Sequence, residues 1–142
     1  MSITEDFEEM GIKVAPRLIS GPSCEVAFSP VPGVLVKKWN EEVWVLPWSH
    51  LIRARYLSKV ALEDGGGDVE QITLSFSHET VTLRGRHLRR LMEFIVNYQL
   101  SSLTELAREF LDSEMNKEHP APVVVSIQSV EHGATVPKQG GG

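Results

Sequence analysis

Cysteine is nearly absent from this sequence of 142 residues, in which Cys24 is the only one. A single cysteine excludes an intramolecular disulfide, so we expect the chain to belong in a reducing compartment. Long hydrophobic runs are missing as well, since none approaches the roughly 20 residues that a membrane-spanning helix needs. The first ten residues, MSITEDFEEM, also lack the basic-then-apolar order of a secretory signal. These absences together predict a soluble, cytoplasmic protein.

Motifs for catalysis and metal binding are also missing. The chain has no GxSxG elbow, P-loop or GxGxxG fingerprint, and no CxxC pair. Its five histidines are scattered, without the spacing that brings two of them onto one metal. We therefore expect no metal and no cofactor, and we expect Cys24 to be a buried or half-buried thiol rather than a nucleophile. An enzyme whose site is not visible in the sequence remains the second alternative for the function.

Positive charge is the minority sign, with 14 lysines and arginines against 19 acidic residues and a net charge of -5. The pI near 5.5 argues against a large non-specific footprint on nucleic acid. Composition and length fit one globular domain. We place that domain at 26–113, after an acidic, weakly structured segment at 1–25 and before a flexible tail at 114–142 in which 123–127 is a candidate strand.

Several short runs of β-branched and aromatic residues predict strands. The runs at 34–39 and 43–48 flank a polar turn and predict a hairpin, and those at 71–76 and 80–85 predict another. Residues 50–62 alternate as a strand with one buried face, although a short helix capped by Ser49 is the alternative. The glycine-rich stretch at 64–68 predicts a flexible loop.

The hydrophobic period changes to 3.6 after Gly85. Leu88, Leu91 and Ile95 then share one face, which predicts a helix over 86–99. A second, shorter helix is predicted from Ser102 to Leu111, because Ser102 and a glutamate three residues later match a capping box. Strands followed by helices predict an α+β fold: an antiparallel sheet of four to six strands, bent or closed into a small barrel, covered by a C-terminal helix.

Three tryptophans in or beside the first hairpin supply a large apolar area. Along the second strand, Trp44 and Trp48 share one face with a leucine, while two valines and a proline take the other. Because both faces are apolar, one of them must meet something besides the covering helix. The N-terminal segment, the second helix and another protein chain are the candidates. We interpret Trp39, Trp44 and Trp48 as a protein interface.

The segment RGRHLRR at 84–90 concentrates four arginines at the start of the predicted helix. There the helix dipole favours anions, and like charges four residues apart repel, so the cluster needs a counter-charge. One candidate is internal, namely the acidic strip at 63–70 or the acidic N-terminus. The other is an external phosphate or acidic peptide. The anion- or partner-binding set is Arg84, Arg86, Arg89 and Arg90, extended by Arg53 and Arg55 on their predicted strand.

The pattern therefore predicts a non-catalytic interaction module that assembles with itself or with another protein through the aromatic hairpin. The alternative is a binder of nucleic acid or of another phosphate-bearing ligand through the cluster at 84–90. Steep weakening by salt would favour the alternative, since a largely apolar contact lacks it.

Overall fold

The computed structural model of the chain describes residues 21–62, 67–112 and 121–132. These ranges form eight strands, one α-helix and two 3-10 helices. The strands are β1 (Cys24–Val26), β2 (Gly33–Lys37), β3 (Val43–Pro47), β4 (Leu51–Ala61), β5 (Asp68–Phe76), β6 (Glu79–Arg86), β7 (Leu100–Thr104) and β8 (Val123–Glu131). Helix α1 spans Leu91–Val96, and the 3-10 helices span Trp48–His50 and Arg108–Asp112.

The strands form two sheets of four. The first sheet has the order β1-β7-β2-β3, and the second has the order β4-β5-β6-β8. All pairs are antiparallel except β2 with β7, which run parallel. Between these two strands the chain forms β3 and then β4, β5 and β6 of the second sheet, and β8 completes that sheet after β7.

The inner faces of the two sheets and helix α1 share one hydrophobic core. Alternation along each strand produces it: in β5, for example, Ile72, Leu74 and Phe76 are buried while the residues between them are half-exposed. Helix α1 contributes Leu91, Phe94 and Ile95, of which Leu91 and Ile95 are almost fully buried. The helix therefore contacts one strand of each sheet, β4 and β7, and does not cover a sheet face.

The predicted α+β fold is wrong. The described residues are mostly β, the sheet is divided in two, the one α-helix has six residues, and no C-terminal helix covers a sheet. The two predicted hairpins are confirmed as β2–β3 and β5–β6, and residues 51–61 are strand. The late strand is longer than expected and completes the second sheet as β8. The predictions for residues 1–20, for most of the glycine loop, and for 113–120 and 133–142 of the predicted tail lie outside the described residues.

The first predicted helix is much shorter than its apolar period suggested. Its first turn does not form, because His87 takes a left-handed φ of 60° and the backbone N–H groups of His87 and Leu88 are bound by the Glu70 carboxylate. The helix ends early because Tyr98 is also left-handed, with φ 59°. Arg86 and Arg90 consequently do not share consecutive helical turns, and the predicted helical repulsion between them does not arise.

The second predicted helix is replaced by strand β7 and the 3-10 helix at 108–112. Leu103 lies between Cys24 of β1 and Val36 of β2. The residues that were expected to start a helix are therefore paired in the sheet. Glu105 does not form the capping box with Ser102. Its two carboxylate oxygens instead accept the backbone N–H groups of Trp39 and Ile127, at 2.8 and 2.7 Å.

Candidate functional site

The arginine segment begins on the outer face of the second sheet and ends in the loop before α1. Arg84 lies on β6, where its Nε donates to Gln71 Oε1 of β5 at 2.9 Å. Arg89 and Arg90 lie in the loop, Arg89 exposed and Arg90 half-buried. The buried Nε of Arg86 and Nε2 of His87 have no hydrogen-bond partner among the described residues.

Glu70 is the residue that organises this end of the molecule. Its Oε2 accepts the His87 N–H at 2.8 Å, and its Oε1 accepts the Leu88 N–H at 2.9 Å and the Tyr56 hydroxyl at 2.9 Å. The protein thus supplies its own anion to the backbone N–H groups at which an external phosphate was considered. The sequence predicted an internal counter-charge from the acidic strip at 63–70, but it did not single out Glu70 or its hydrogen bonds to the backbone. The only signal was its membership of the acidic strip beside the loop.

The pKa of Tyr56 depends on its hydrogen bond to Glu70. Burial raises its pKa to about 12, with further contributions from the hydrogen bond to Glu70 and the negative charge of that carboxylate, while Arg89 acts in the opposite direction. The positive charge of Arg89 therefore lowers the pKa of Tyr56 on β4. Through its hydrogen bonds, Glu70 joins Tyr56 of β4 to the backbone of the loop at 87–90.

Arg53 and Arg55 alternate along β4 and both are exposed. The register pairs Arg53 with Ser75 and Arg55 with Thr73, so both point to the outer face of the second sheet. Arg84 shares that face two strands away and two residues out of line with Arg55, so about 10 Å of strand spacing and two residues along the strand separate the two. The structure thus places these three arginines on one face, whereas Arg86, Arg89 and Arg90 lie at the end of β6 and beyond it.

The three tryptophans have three different environments. Trp48 is buried: its ring stacks with Phe76 at a centroid distance of 6.1 Å and its Nε1 donates to the Leu100 carbonyl at 3.1 Å. Trp44 is half-buried against the core, with the Lys38 ammonium 5.4 Å from its ring centroid. Trp39 is 68% exposed, in the turn after β2. They do not form one continuous aromatic surface.

The β2–β3 hairpin nevertheless presents a free edge. Lys38 N–H donates to the Glu42 carbonyl and Trp48 N–H to the Pro32 carbonyl, which fixes the alternation of the antiparallel ladder between them. By that alternation the N–H and C=O groups of Val43 and Val45 point away from β2. Within the described ranges no other strand pairs with β3 there.

The other three edges differ from β3. Edge strand β4 carries charged side chains and two register irregularities, both of which protect an edge from pairing. On β8, the outward N–H and C=O groups of Ile127 are held by Glu105 and by the Lys38 ammonium. Strand β1 has only three residues. Among the described edge strands, β3 is therefore the one that has no charged side chain, no register irregularity and no side chain bound to its outward backbone groups.

The outer side chains of β3 are also apolar and exposed. Val43 is 56% exposed and Val45 is 70% exposed, and both face away from the core because Trp44 and Leu46 point into it. The sequence showed both apolar faces of this strand, but not that the outer one belongs to a sheet edge.

A groove of about 680 Å³ lies between the free edge of β3 and the end of β8. Its apolar lining includes Trp44, Leu46 and Val130, and carboxylates stand around it at Glu42, Glu79 and Glu131. Glu79 accepts a hydrogen bond from the Ser129 hydroxyl at 2.6 Å. No lysine or arginine in the described ranges forms an ion pair with any of the three carboxylates.

Groups that could support catalysis are not gathered in one place. Burial raises the pKa of the Cys24 thiol to about 12, and the thiol is only 2% exposed. His50 and His78 contact each other edge to face, with ring centroids 6.1 Å apart. In the described part of the chain, no three histidine, cysteine or acidic side chains converge as metal ligands. Nor does any helix in that part have the length and apolar character to cross a bilayer.

The sequence matches no family model, and neither a curated protein nor a solved structure matches it. Because a fold by itself does not specify a function, the chemistry of these surfaces is the basis for a functional proposal.

Proposed function

We propose that this protein is a non-catalytic interaction module that binds a protein strand at the β3 edge, either of a second copy or of another protein. The observation that carries the proposal is the free edge of β3, whose outward backbone groups and exposed valines are accompanied by no charged side chain within the strand. Natural sheets blunt such edges unless a partner uses them.

Strand addition to this edge would satisfy both kinds of unpaired surface at once. The outward N–H and C=O groups of Val43 and Val45 would enter a backbone ladder, which provides affinity without requiring a particular sequence. The exposed side chains of the same two valines would be covered by alternate side chains of the added strand. Trp39, exposed in the adjoining turn, offers an aromatic anchor of the type that dominates many interfaces.

A photo-crosslinking residue placed at position 45 tests the proposal, with position 52 as the matched control. Ile52 lies on the protected edge strand β4 and is 72% exposed, close to the 70% of Val45. We expect crosslinks from position 45 to a defined segment of a second copy or of a partner, and background crosslinks from position 52. Val45→Lys should abolish the corresponding assembly in sedimentation velocity, whereas Ile52→Lys should leave it intact. Equal crosslinking at both positions, with a chain that stays monomeric, would contradict the proposal.

A second candidate function rests on the outer face of the second sheet. Arg53, Arg55 and Arg84 share that face, and the positions between them on β5, Gln71, Thr73 and Ser75, are uncharged. Such a face suits nucleic acid or another phosphate-bearing ligand. Binding of a short labelled single strand should then weaken with salt at a logarithmic slope of about -2, from three phosphate contacts. Arg53→Glu combined with Arg55→Glu should abolish it, and Val45→Lys should not.

A further inference from the structure

The groove beside β3 combines backbone groups from two strand edges. The His132 N–H donates to the His78 carbonyl, which fixes the alternation between β6 and β8. By that alternation the N–H and C=O groups of Ser129 and Glu131 point away from β6, as those of Val43 and Val45 point away from β2. The groove is therefore bordered on both sides by strand edges that have unpaired backbone groups among the described residues.

Apolar side chains line part of this groove, and three carboxylates line the rest. Glu42 directly precedes β3 and continues the alternation of Trp44 and Leu46, which point toward the core. Glu79 and Glu131 are opposite each other in the β6–β8 ladder, on the same side as the buried Val81. The carboxylates of both sheets thus belong to the inner faces, where the sheets open into the groove.

Lys38 shows how a basic side chain is held at one end of this groove. Its ammonium lies 5.4 Å from the centroid of the Trp44 ring and 3.6 Å from the Glu105 carboxylate, and it donates to the Ile127 carbonyl on the β8 edge. Aromatic face, carboxylate and edge carbonyl together form a site for a cation. The three carboxylates of the groove itself, Glu42, Glu79 and Glu131, form no such ion pair with a lysine or arginine of the described residues.

We infer that the groove between β3 and β8 receives an extended, basic segment of another protein, which adds to β3 as a strand and directs alternate lysines or arginines toward Glu42, Glu79 and Glu131. This inference rests on the proposed function and specifies its partner. Because alternate side chains of a strand point to opposite faces, the segment alternates basic residues, facing the groove, with apolar residues, lying beside Val43 and Val45 on the outer face.

Charge favours such a partner over a second copy of this chain. The chain has a net charge of -5, and two copies joined at this groove would bring their acidic rims together. A lysine-rich segment would instead neutralise carboxylates that the described residues leave unpaired. A second copy seated on β3 is therefore the outcome that would contradict the inference.

The test uses peptides that are long enough to cover the five residues of β3, measured by calorimetry against the full chain. The first peptide alternates valine and lysine, the second has the same composition with its lysines in one block, and the third alternates valine and glutamate. We expect the alternating lysine peptide to bind at least about ten-fold more tightly than the block peptide, and the glutamate peptide not to bind. N-methylation of one of its two alternating sets of amides should abolish binding, since strand pairing requires those N–H groups.

Two matched protein variants test the role of the carboxylates. Glu42→Gln combined with Glu131→Gln removes two rim charges and should weaken the lysine peptide at least about five-fold. Glu93→Gln combined with Glu109→Gln changes the net charge equally at exposed positions outside the groove and should change the affinity less than two-fold. Glu79 is left unchanged because it holds Ser129.

Equal affinity for the alternating and block peptides, or equal loss in both variants, would overturn the inference, because nonspecific charge attraction would then account for the binding. Failure of every peptide together with a self-association that Val45→Lys abolishes would overturn the basic-partner inference alone and leave the proposed function standing. Failure of the peptides together with no crosslinks from position 45 would overturn both.

Discussion

Glu70→Gln is the substitution that most directly probes how the arginine-rich end is built. The carboxylate holds three donors, the His87 N–H through Oε2 and the Leu88 N–H and Tyr56 hydroxyl through Oε1. A glutamine has one acceptor oxygen, so its amide nitrogen must face one of these donors. We expect the donor that faces the nitrogen to be His87 N–H, because the glutamine oxygen can then keep the other two bonds.

The expected cost follows from the two kinds of loss. Leaving one partly buried N–H without an acceptor costs about 1–3 kcal/mol. Converting two charge-assisted hydrogen bonds to neutral ones removes roughly another 1 kcal/mol, since charge-assisted bonds are about twice as strong. We therefore expect Glu70→Gln to lower the free energy of unfolding by about 2–4 kcal/mol. Urea unfolding followed by the fluorescence of the buried Trp48 would measure it.

The same substitution has a second, independent readout in the titration of Tyr56. The Tyr56 pKa of about 12 should fall toward 10 in Glu70→Gln, and only part of the way, because burial is the larger cause of the shift. For the unsubstituted chain, the raised pKa means that the contribution of Tyr56 to stability is constant below pH 10 and is lost as the pH rises from 10 through 12. Ultraviolet difference titration of the phenolate follows this directly.

Glu93→Gln on the exposed side of α1 is the matched control, with the same change of charge and an expected effect within about 0.5 kcal/mol. If Glu70→Gln unfolds at the same urea concentration as this control, and Tyr56 still titrates near 12, then Glu70 does not organise the loop as described. A loss confined to low salt would also refute the reasoning, because bonds to backbone N–H groups depend little on screening.

Three further predictions concern the core. The Cys24 thiol, with its pKa near 12 and 2% exposure, should stay unreactive toward a thiol reagent at pH 8 until the chain unfolds, and rapid labelling of the folded protein would contradict its burial. Leu91→Ala should lower the free energy of unfolding in urea by about 2–5 kcal/mol, because the smaller side chain leaves a cavity. A loss below about 1 kcal/mol would show that α1 does not pack in the core. Gly85→Ala should destabilise the chain by about 3 kcal/mol or more, because an added Cβ would lie 1.8 Å from the Val123 carbonyl oxygen, and unchanged stability would mean that β6 and β8 separate there at little cost.

The residues of the proposed interface were only partly visible in the sequence. The tryptophan hairpin and the two apolar faces of β3 followed from alternation, which is a local property. Their separation into a buried Trp48, a half-buried Trp44 and an exposed Trp39 depends on which sheet each residue meets. The sequence did not single out Glu42, Glu79 and Glu131, because the groove forms between the two sheets and these three residues are distant from one another in the chain.

The sequence by itself determined the elements whose partners are close along the chain. The hairpins β2–β3 and β5–β6 are present as expected, because alternating β-branched residues on both sides of a short polar turn favour pairing with each other. The apolar side chains of Leu91 and Ile95 are buried as their spacing indicated. Each hairpin strand pairs with a neighbour only a few residues away. The burial of Leu91 and Ile95 requires only that one face of their segment be apolar.

Only the tertiary structure decided the conformation of segments whose local sequence suits a helix about as well as another conformation. Residues 102–104 begin a segment whose apolar spacing suits a helix, yet β1 and β2 offer backbone partners on both sides of β7, and pairing in the sheet prevails. The start of the expected helix at 86–90 was likewise claimed by Glu70, seventeen residues from His87. Helix propensity differs by only a few tenths of a kcal/mol between most residues, so one long-range set of hydrogen bonds outweighs it.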